Sequence, residues 1–168
     1  MQSTTSQEFI AAMRTVASSV SVVTTDGDAG RYGATVSAFC SVSANPPTVL
    51  VCLNAASTIA AKVSDNRAFC VNVLPDHASY IADRFAGRHD TFIQDRFEGM
   101  DVTGPDFGPV HGLAGGTSLQ CQLTQAVMEG THLICIGRVT QIALGSEMPL
   151  TYLAGQYQTS VPTKAAMP

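Results

Sequence analysis

The chain has 168 residues and a net charge of −4; 45% of its residues are hydrophobic and only 13% are charged. That length suits a single domain, with an ordered core expected over about residues 6–158 and a short tail over 159–168. The charged share is half the usual value of about 25%, which predicts that a second subunit or a ligand covers part of the surface. The sequence has no cluster of Lys and Arg, which argues against a nucleic-acid-binding protein.

The hydropathy and the cysteines indicate a cytoplasmic protein. No apolar run approaches the ~18–20 residues of a membrane span, and the polar residues 1–8 do not have the pattern of a signal peptide. The five cysteines are odd in number and far apart, so we interpret them as small buried residues. The four histidines lack the spacing of metal ligands, and no metal site is expected.

The first half of the chain predicts one helix followed by strands. A capping box at Thr5 and Glu8 predicts a helix over about residues 6–16. The β-branched run 20–25 predicts a strand, and the segment 32–39 after the following turn is interpreted as its returning strand, which predicts a hairpin. The run 48–53 is apolar on both faces, which predicts a central strand.

The second half predicts short helices between further strands. Ser57 and Asp76 are the expected caps of helices that end near Asn66 and Phe85. The stretch 87–116 is rich in Gly, Pro and Asp and predicts loops of functional or interface character. Strands are expected at 69–74, 118–127, 132–144 and 150–153. Strands joined as hairpins, with helices only inserted, predict a mostly β fold: an antiparallel barrel with helices outside it.

The chain lacks the glycine-rich dinucleotide fingerprint, the phosphate-binding P-loop and the G-x-S-x-G nucleophile motif, so function depends on local segments. The small residues of 33–43 either let a flat ligand approach the backbone or form an ordinary strand with solvated hydroxyls. Residues 54–58 either hold a phosphate at a helix start or merely cap that helix through Ser57. Arg84 and Arg88 either contact a phosphate or lie on a solvated helix end. His132, where a turn enters an apolar strand, is either structural or a hydrogen-bond donor near a cofactor.

These segments, in this order, resemble the short-chain flavin reductases, the reductase components of two-component flavin-dependent monooxygenases such as the 4-hydroxyphenylacetate monooxygenase reductase. The resemblance is carried by residues 20–27, 33–38, 40–43 with Pro46 and Pro47, 51–54 with Ser57, 69–74, 84–87, 130–133, and 150–152 with Gly155 and Tyr157. Together they cover nearly the whole chain.

The resemblance implies a split β-barrel of Greek-key type with short peripheral helices, assembled as a homodimer. It implies an NAD(P)H-dependent oxidoreductase that reduces FMN or FAD and supplies the reduced flavin to a separate monooxygenase of the aromatic hydroxylase type. By position, the flavin would contact Gly33, Ala34, Thr35, Val36, Ser37 and Ser41 along its ring and ribityl chain, Asn54, Ser57 and Thr58 at its phosphate, and Phe85 and Arg88 at its distal part. The nicotinamide would lie at His132, Gly155 and Tyr157, with His132 orienting it and no residue assigned with certainty to catalysis.

Two positions depart from the family pattern. Thr131 stands where many relatives have an acidic residue, and Gln120 stands where many have Glu. Two other functions stay open: a reductase whose fixed flavin passes electrons to another acceptor, such as a corrin-cobalt centre, and a flavin-binding module without turnover.

Overall fold

Three short helices are inserted among antiparallel strands in the computed structural model, which describes residues 4–100 and 112–161. The helices are α1 (Ser6–Met13), α2 (Thr58–Asn66) and α3 (Ser79–Phe85), with a 3-10 turn at Leu113–Gly115. The strands are β1 (Ser18–Ser19), β2 (Ser21–Thr25), β3 (Tyr32–Val36), β4 (Phe39–Ala44), β5 (Pro47–Asn54), β6 (Ala68–Val73), β7 (Thr117–Glu129), β8 (His132–Ala143), β9 (Leu150–Leu153) and β10 (Gln156–Thr159).

The strands form one large and one small sheet, and every pairing is antiparallel. The large sheet has the order β3-β2-β6-β7-β8-β5-β4, and β3 returns against β5 so that the sheet curls into a barrel. The small sheet has the order β1-β9-β10. The mostly β split barrel with peripheral helices is therefore confirmed. No helix in the described part of the chain is long and apolar enough to cross a membrane.

The core has two parts, and β2 contributes to both. Val23 points into the barrel, where it packs with Val51 and Phe69. Val22, on the opposite face of the same strand, packs with Phe85 in a second cluster between the barrel and α3. Because both faces of β2 are covered, all five of its residues are buried. Helix α2 adds Ile59, Ala60 and Val63 to the barrel cluster.

Helix α1 begins where the sequence predicts and ends early. The capping box is formed: Thr5 Oγ1 accepts a hydrogen bond from the Glu8 backbone N–H at 3.2 Å, and Glu8 Oε2 accepts one from the Thr5 backbone N–H at 2.8 Å. The predicted end at residue 16 is wrong, since α1 stops at Met13. Thr15 and Val16 donate to carbonyls three residues back, which tightens the chain into turns.

The single strand predicted over 32–39 is wrong, because the chain changes partner within it. Strand β3 pairs with β2 as far as Val36, and β4 then pairs with β5 from Phe39. Between them, the Ala38 carbonyl already accepts a hydrogen bond from the Cys52 backbone N–H at 3.0 Å. The break at Ser37 and Ala38 is thus the point at which the chain leaves one side of the barrel for the other.

The predicted cap at Asp76 is also wrong. Pro75 forms a bridge with Pro149, and the Asp76 backbone N–H donates to the Met148 carbonyl at 2.8 Å, so this segment is held extended and α3 starts from Ala78.

Strands β1 and β10 were not predicted. Of the predicted loop 87–116 and tail 159–168, residues 101–111 and 162–168 lie outside the described residues, while Thr159 ends β10.

Candidate functional site

A cleft of about 190 Å³ lies between the outer face of β3, the end of α3 and the small sheet. Its lining residues are Val20, Thr35, Val36, Ser37, Ala86, Arg88, Tyr152 and Tyr157. Five of these are residues predicted for the flavin or the nicotinamide: Thr35, Val36, Ser37, Arg88 and Tyr157. The fold thus brings together positions that are up to 122 residues apart in the sequence.

The β3 wall is fastened to α3 by one hydrogen bond and one close packing contact. The Thr35 hydroxyl donates to the Ala82 carbonyl at 2.6 Å. A Cβ at Gly33 would come within 2.6 Å of the Phe85 ring and 3.1 Å of the Phe97 ring, so only glycine fits there. Neither Gly33 nor Phe85 lines the cleft: Phe85 is in the core, 1% exposed, and Gly33 lines a separate groove beside Arg96 and Phe97.

The opposite wall is held by Asp83 of α3. Its Oδ1 atom accepts a hydrogen bond from the Tyr157 hydroxyl at 2.8 Å and forms an ion pair with Arg88 Nη1 at 3.1 Å. The Tyr157 ring meets the Tyr152 ring edge-on, with centroids 5.6 Å apart. Burial, reinforced by the hydrogen bond to Asp83, raises the pKa of Tyr157 to about 12. The phenol therefore stays protonated, and its O–H keeps donating at neutral pH.

A wider groove of about 560 Å³ adjoins the cleft and shares Ser37 and Tyr152 with it. Apolar side chains of α1 line one side, and the β9–β10 turn with Gly155 lines the other. Arg14 joins the two sides, because its Nη2 donates to the Ala154 carbonyl at 3.2 Å and its own carbonyl accepts from the Ala154 backbone N–H at 3.0 Å. Cleft and groove together offer the room of an ordinary cofactor site.

A second group of predicted residues lies where β5 leads into α2. Asn54 and His132 are register partners on β5 and β8. Asn54 Oδ1 accepts from the Ala56 backbone N–H at 2.9 Å, and the Ser57 hydroxyl donates to the Asn54 carbonyl. Ser57 precedes α2 but makes no side-chain cap, so its capping role is not formed. With the exposed Thr58, these residues surround a helix start whose N–H groups suit an anion.

The two groups are linked through the strand break after β3. Ser37 lines the cleft, and its neighbour Ala38 is hydrogen-bonded to Cys52, two residues before Asn54. His132 lies on the Asn54 side and lines neither the cleft nor the groove, so it is apart from Gly155 and Tyr157 within one chain.

Three further predicted positions lie elsewhere. Ala34 packs against the barrel core, and Ser41 is exposed on the edge strand β4. Arg84 donates to the carbonyls of Asp95 and Glu98, which fastens the loop after α3 rather than lining the cleft.

Reasoning from the sequence missed Asp83 and Tyr152. Asp83 meets Tyr157 across 74 residues, and no local pattern marks such a pair. The sequence does contain a signal for Tyr152. Tyr152 and Tyr157 lie in strand-forming segments on either side of a turn at Ala154 and Gly155, and such a turn places the two tyrosines opposite each other.

Comparison with known protein families gives a match over most of the chain. The sequence profile of the flavin reductase like domain matches residues 13–160. The chain belongs to this family.

Among curated relatives, the chain is 38% identical over 136 residues to the FMN reductase (NADH) RutF of Enterobacter cloacae, a match covering 81% of this chain and 82% of that protein. It is 40% identical over 131 residues to RutF of Yersinia enterocolitica, covering 75% and 68% of the two chains. The expected resemblance to flavin reductases is confirmed.

Solved structures of flavin reductases share the fold. The flavin reductase PheA2 superposes with a TM-score of 0.83 at 26% identity, over 95% of this chain and 100% of its own. BorF, the reductase component of a bacterial two-component tryptophan halogenase, gives a TM-score of 0.83 at 26% identity with the same coverage.

Proposed function

We propose that this flavin reductase family member transfers a hydride from NADH to FMN and releases the reduced flavin to a separate oxygenase. The observation that carries the proposal is the cleft in which Thr35, Val36, Ser37, Arg88 and Tyr157 meet. Relatives named FMN reductase (NADH) support this flavin and this donor, and BorF supports the partnership with a second component. FAD and NADPH are the alternatives that the assay below includes.

The residues of the cleft and of the adjoining groove together suit two stacked flat rings. FMN, when bound, supplies the hydride-accepting chemistry. The chain provides a dry surface from Val36 and the paired tyrosines, with the Ser37 hydroxyl beside it. Rings held at contact distance in an apolar cleft need no acidic or basic catalyst, because the reaction depends chiefly on their alignment.

The junction of β5 and α2 supports the phosphate end. Asn54 and Ser57 fix the loop by their hydrogen bonds to Ala56 and Asn54. Because no side chain caps α2, the N–H groups of its first turn and the hydroxyl of Thr58 are left to an anion. FMN carries such a phosphate, and riboflavin does not, so riboflavin should bind more weakly.

His132 is proposed to orient the nicotinamide. It is exposed, and its Nδ1 lies 3.0 Å from the Thr131 hydroxyl, which steadies the ring. We expect His132→Ala to raise the KM for NADH while the affinity for FMN changes little. Steady-state kinetics that show lost FMN binding with intact NADH binding would contradict this role.

We also propose a homodimer, supported by an uncovered apolar face of the large sheet. This outer apolar patch consists of Cys40, Val42, Leu50, Cys52, Val127, Ile134 and Ile136. Val49, Val51 and Leu53 of β5 point into the barrel, so Leu50 and Cys52 between them point outward. The register places Leu50 beside Cys40 and Ile136, and Cys52 beside Ile134.

A second copy fits this patch because the patch is continuous, apolar and almost uncharged. His132 lies at the end of one of its strands, so a partner could complete the nicotinamide site that one chain leaves divided. We expect a dimer mass at micromolar concentration and a monomer mass for Leu50→Arg. A wild-type monomer would rule the dimer out.

Thiol labelling gives an independent check. Burial raises the pKa of Cys121 to about 12 and that of Cys135 to about 11, so neither thiol should react at pH 8. Cys40 is exposed in a single chain and lies on the patch. It should react slowly in the wild type and rapidly in Leu50→Arg, and Cys40→Ser removes the part of the signal that comes from Cys40 and leaves any from Cys52, the other thiol of the patch. All five thiols are free, which also supports the proposed cytoplasmic location.

The decisive assay is NADH oxidation by the purified protein with and without added FMN or FAD, with bound and free flavin quantified. Turnover that requires added flavin and saturates with it is the expected result. Stoichiometric flavin that stays bound without such turnover would replace the proposal with a fixed-flavin reductase or a binding module. NADPH run in parallel decides the donor.

A further inference from the structure

One carboxylate oxygen connects the two walls of the cleft. Asp83 lies on α3, which packs against the barrel, whereas Tyr157 lies on β10 of the small sheet. The 2.8 Å hydrogen bond and the 3.1 Å ion pair both use Oδ1 of Asp83. Removing that oxygen therefore releases Tyr157 and Arg88 together.

We propose that Asp83 is a positioning residue for the nicotinamide substrate, holding the Tyr157 ring and the Arg88 guanidinium against the cleft. This inference rests on the proposed function, since it assigns a role within the same site. Asp83 is absent from the cleft lining, so it acts through its two partners rather than by touching the substrate.

The orientation of the Tyr157 ring is set from two sides. Its hydroxyl is committed to Asp83, and its ring rests edge-on against Tyr152 at an angle of 61°. The phenol O–H is therefore not free to donate to a ligand, and Tyr157 lines the cleft in a fixed orientation. A dihydronicotinamide ring needs such a fixed flat surface, because small misplacements of the reacting rings cost rate steeply.

Asp83 also holds the Arg88 side chain in place. The Arg88 side chain is 60% exposed, and Asp83 is its ion-pair partner at 3.1 Å. An exposed arginine without a partner samples many rotamers. Paired, Arg88 stays beside Ser37 and Tyr157 at the cleft, where its donors can meet the phosphates of a dinucleotide.

The test is steady-state kinetics with NADH and FMN varied separately. Asp83→Ala removes both contacts, Asp83→Asn keeps an acceptor for Tyr157 but loses the charge, and Tyr157→Phe removes only the hydroxyl. We expect Asp83→Ala to raise the KM for NADH about tenfold, the equivalent of one good hydrogen bond. Asp83→Asn should be intermediate, and Asp83→Ala with Tyr157→Phe should be no worse than Asp83→Ala alone, because that hydrogen bond is already lost.

The KM for FMN is measured in the same assay, and Tyr157→Phe, which leaves the predicted flavin contact Arg88 paired with Asp83, should change the KM for NADH alone. Asp65→Asn, the same change on the exposed side of α2, should leave both values unaltered. An unchanged KM for NADH in Asp83→Ala and Tyr157→Phe would overturn the proposal. If Asp83→Ala does not fold, Asp83→Asn and Tyr157→Phe decide the outcome in the same way.

The two proposals fail differently. A wild-type protein that oxidises no NADH with any added flavin removes the proposed function, and the role of Asp83 falls with it. A wild-type protein that turns over, with variants at Asp83 that bind NADH normally, removes only the role of Asp83.

Discussion

The barrel interior and the cleft are held together by different forces. Inside the barrel, Val51, Phe69 and Cys135 are wholly buried among apolar neighbours. The small sheet buries Leu150 in the second cluster, with Tyr152 and Tyr157 packed against it, and adds polar contacts from Tyr157 to Asp83 and from Ala154 to Arg14. The barrel is therefore stabilised by buried area, whereas at the cleft wall a few directional bonds add to apolar packing. Polar substitutions at the wall should change the site while the fold persists.

The largest expected effect is in the barrel. Phe69→Ala removes a fully buried ring that packs against Gly137 and Cys121, and we expect it to lower the free energy of unfolding by about 3–5 kcal/mol. Urea denaturation measures this. Tyr80→Ala, at a ring 61% exposed, is the matched control and should cost less than about 0.5 kcal/mol. Equal effects at the two sites would contradict the contrast between core and surface.

Gly33→Ala tests whether Gly33 serves the packing of the core or the binding of a ligand in the cleft. The new methyl would lie 2.6 Å from Phe85, and overpacking of this kind costs about 1–3 kcal/mol of stability. Adding Phe85→Leu should restore part of that loss by making room. If instead Gly33→Ala weakens FMN binding with stability unchanged, Gly33 is a ligand-approach residue, as the family resemblance implies, and the cleft reaches deeper than its lining shows.

Thr35→Val tests the bond between β3 and α3 with little change in shape. It removes the 2.6 Å hydrogen bond to the Ala82 carbonyl, and we expect a loss of about 1 kcal/mol in stability. Thr35→Ser keeps the hydroxyl and serves as the control. Because Thr35 also lines the cleft, titration of both variants with FMN shows whether the wall moves when this bond is lost. No change in either measurement would mean that packing alone fixes α3.

The sequence predicted the barrel well because its strands carry their own signal. The run 20–25 is β-branched, the run 69–74 is mostly apolar and stops at Pro75, and both became core strands. The break at Ser37 has no such local mark, since neither Ser37 nor Ala38 is a strand breaker. It arises from a change of hydrogen-bonding partner, which only the closed barrel defines.

The site was predicted as segments but not as an arrangement. The resemblance identified Arg88, Tyr157 and His132, and the structure joins the first two through Asp83 while placing His132 beside Asn54. Such groupings depend on contacts between distant parts of the chain. A sequence pattern that covers only a few neighbouring residues cannot contain them.

The smallest expected effect is at α1. Unlike the barrel strands, α1 has no buried residue, so buried apolar area contributes little to its stability. The Glu8 carboxylate in this helix accepts hydrogen bonds from the Thr5 backbone N–H and hydroxyl, which hold the pKa of Glu8 below its usual range. A lowered pKa in the folded state means that the carboxylate stabilises α1 above the pKa of unfolded Glu, near 4.3. That contribution is lost as the pH falls through the folded value.

We therefore expect faster amide hydrogen exchange in α1 below about pH 4, relative to the intrinsic rate, with barrel amides unaffected. Glu8→Gln should weaken this dependence, because the amide can still accept the Thr5 N–H but does not titrate. If the barrel amides lose protection together with those of α1, the helix is coupled to the core. The contrast between a barrel stabilised by buried apolar area and peripheral elements held mainly by polar contacts would then not hold for α1.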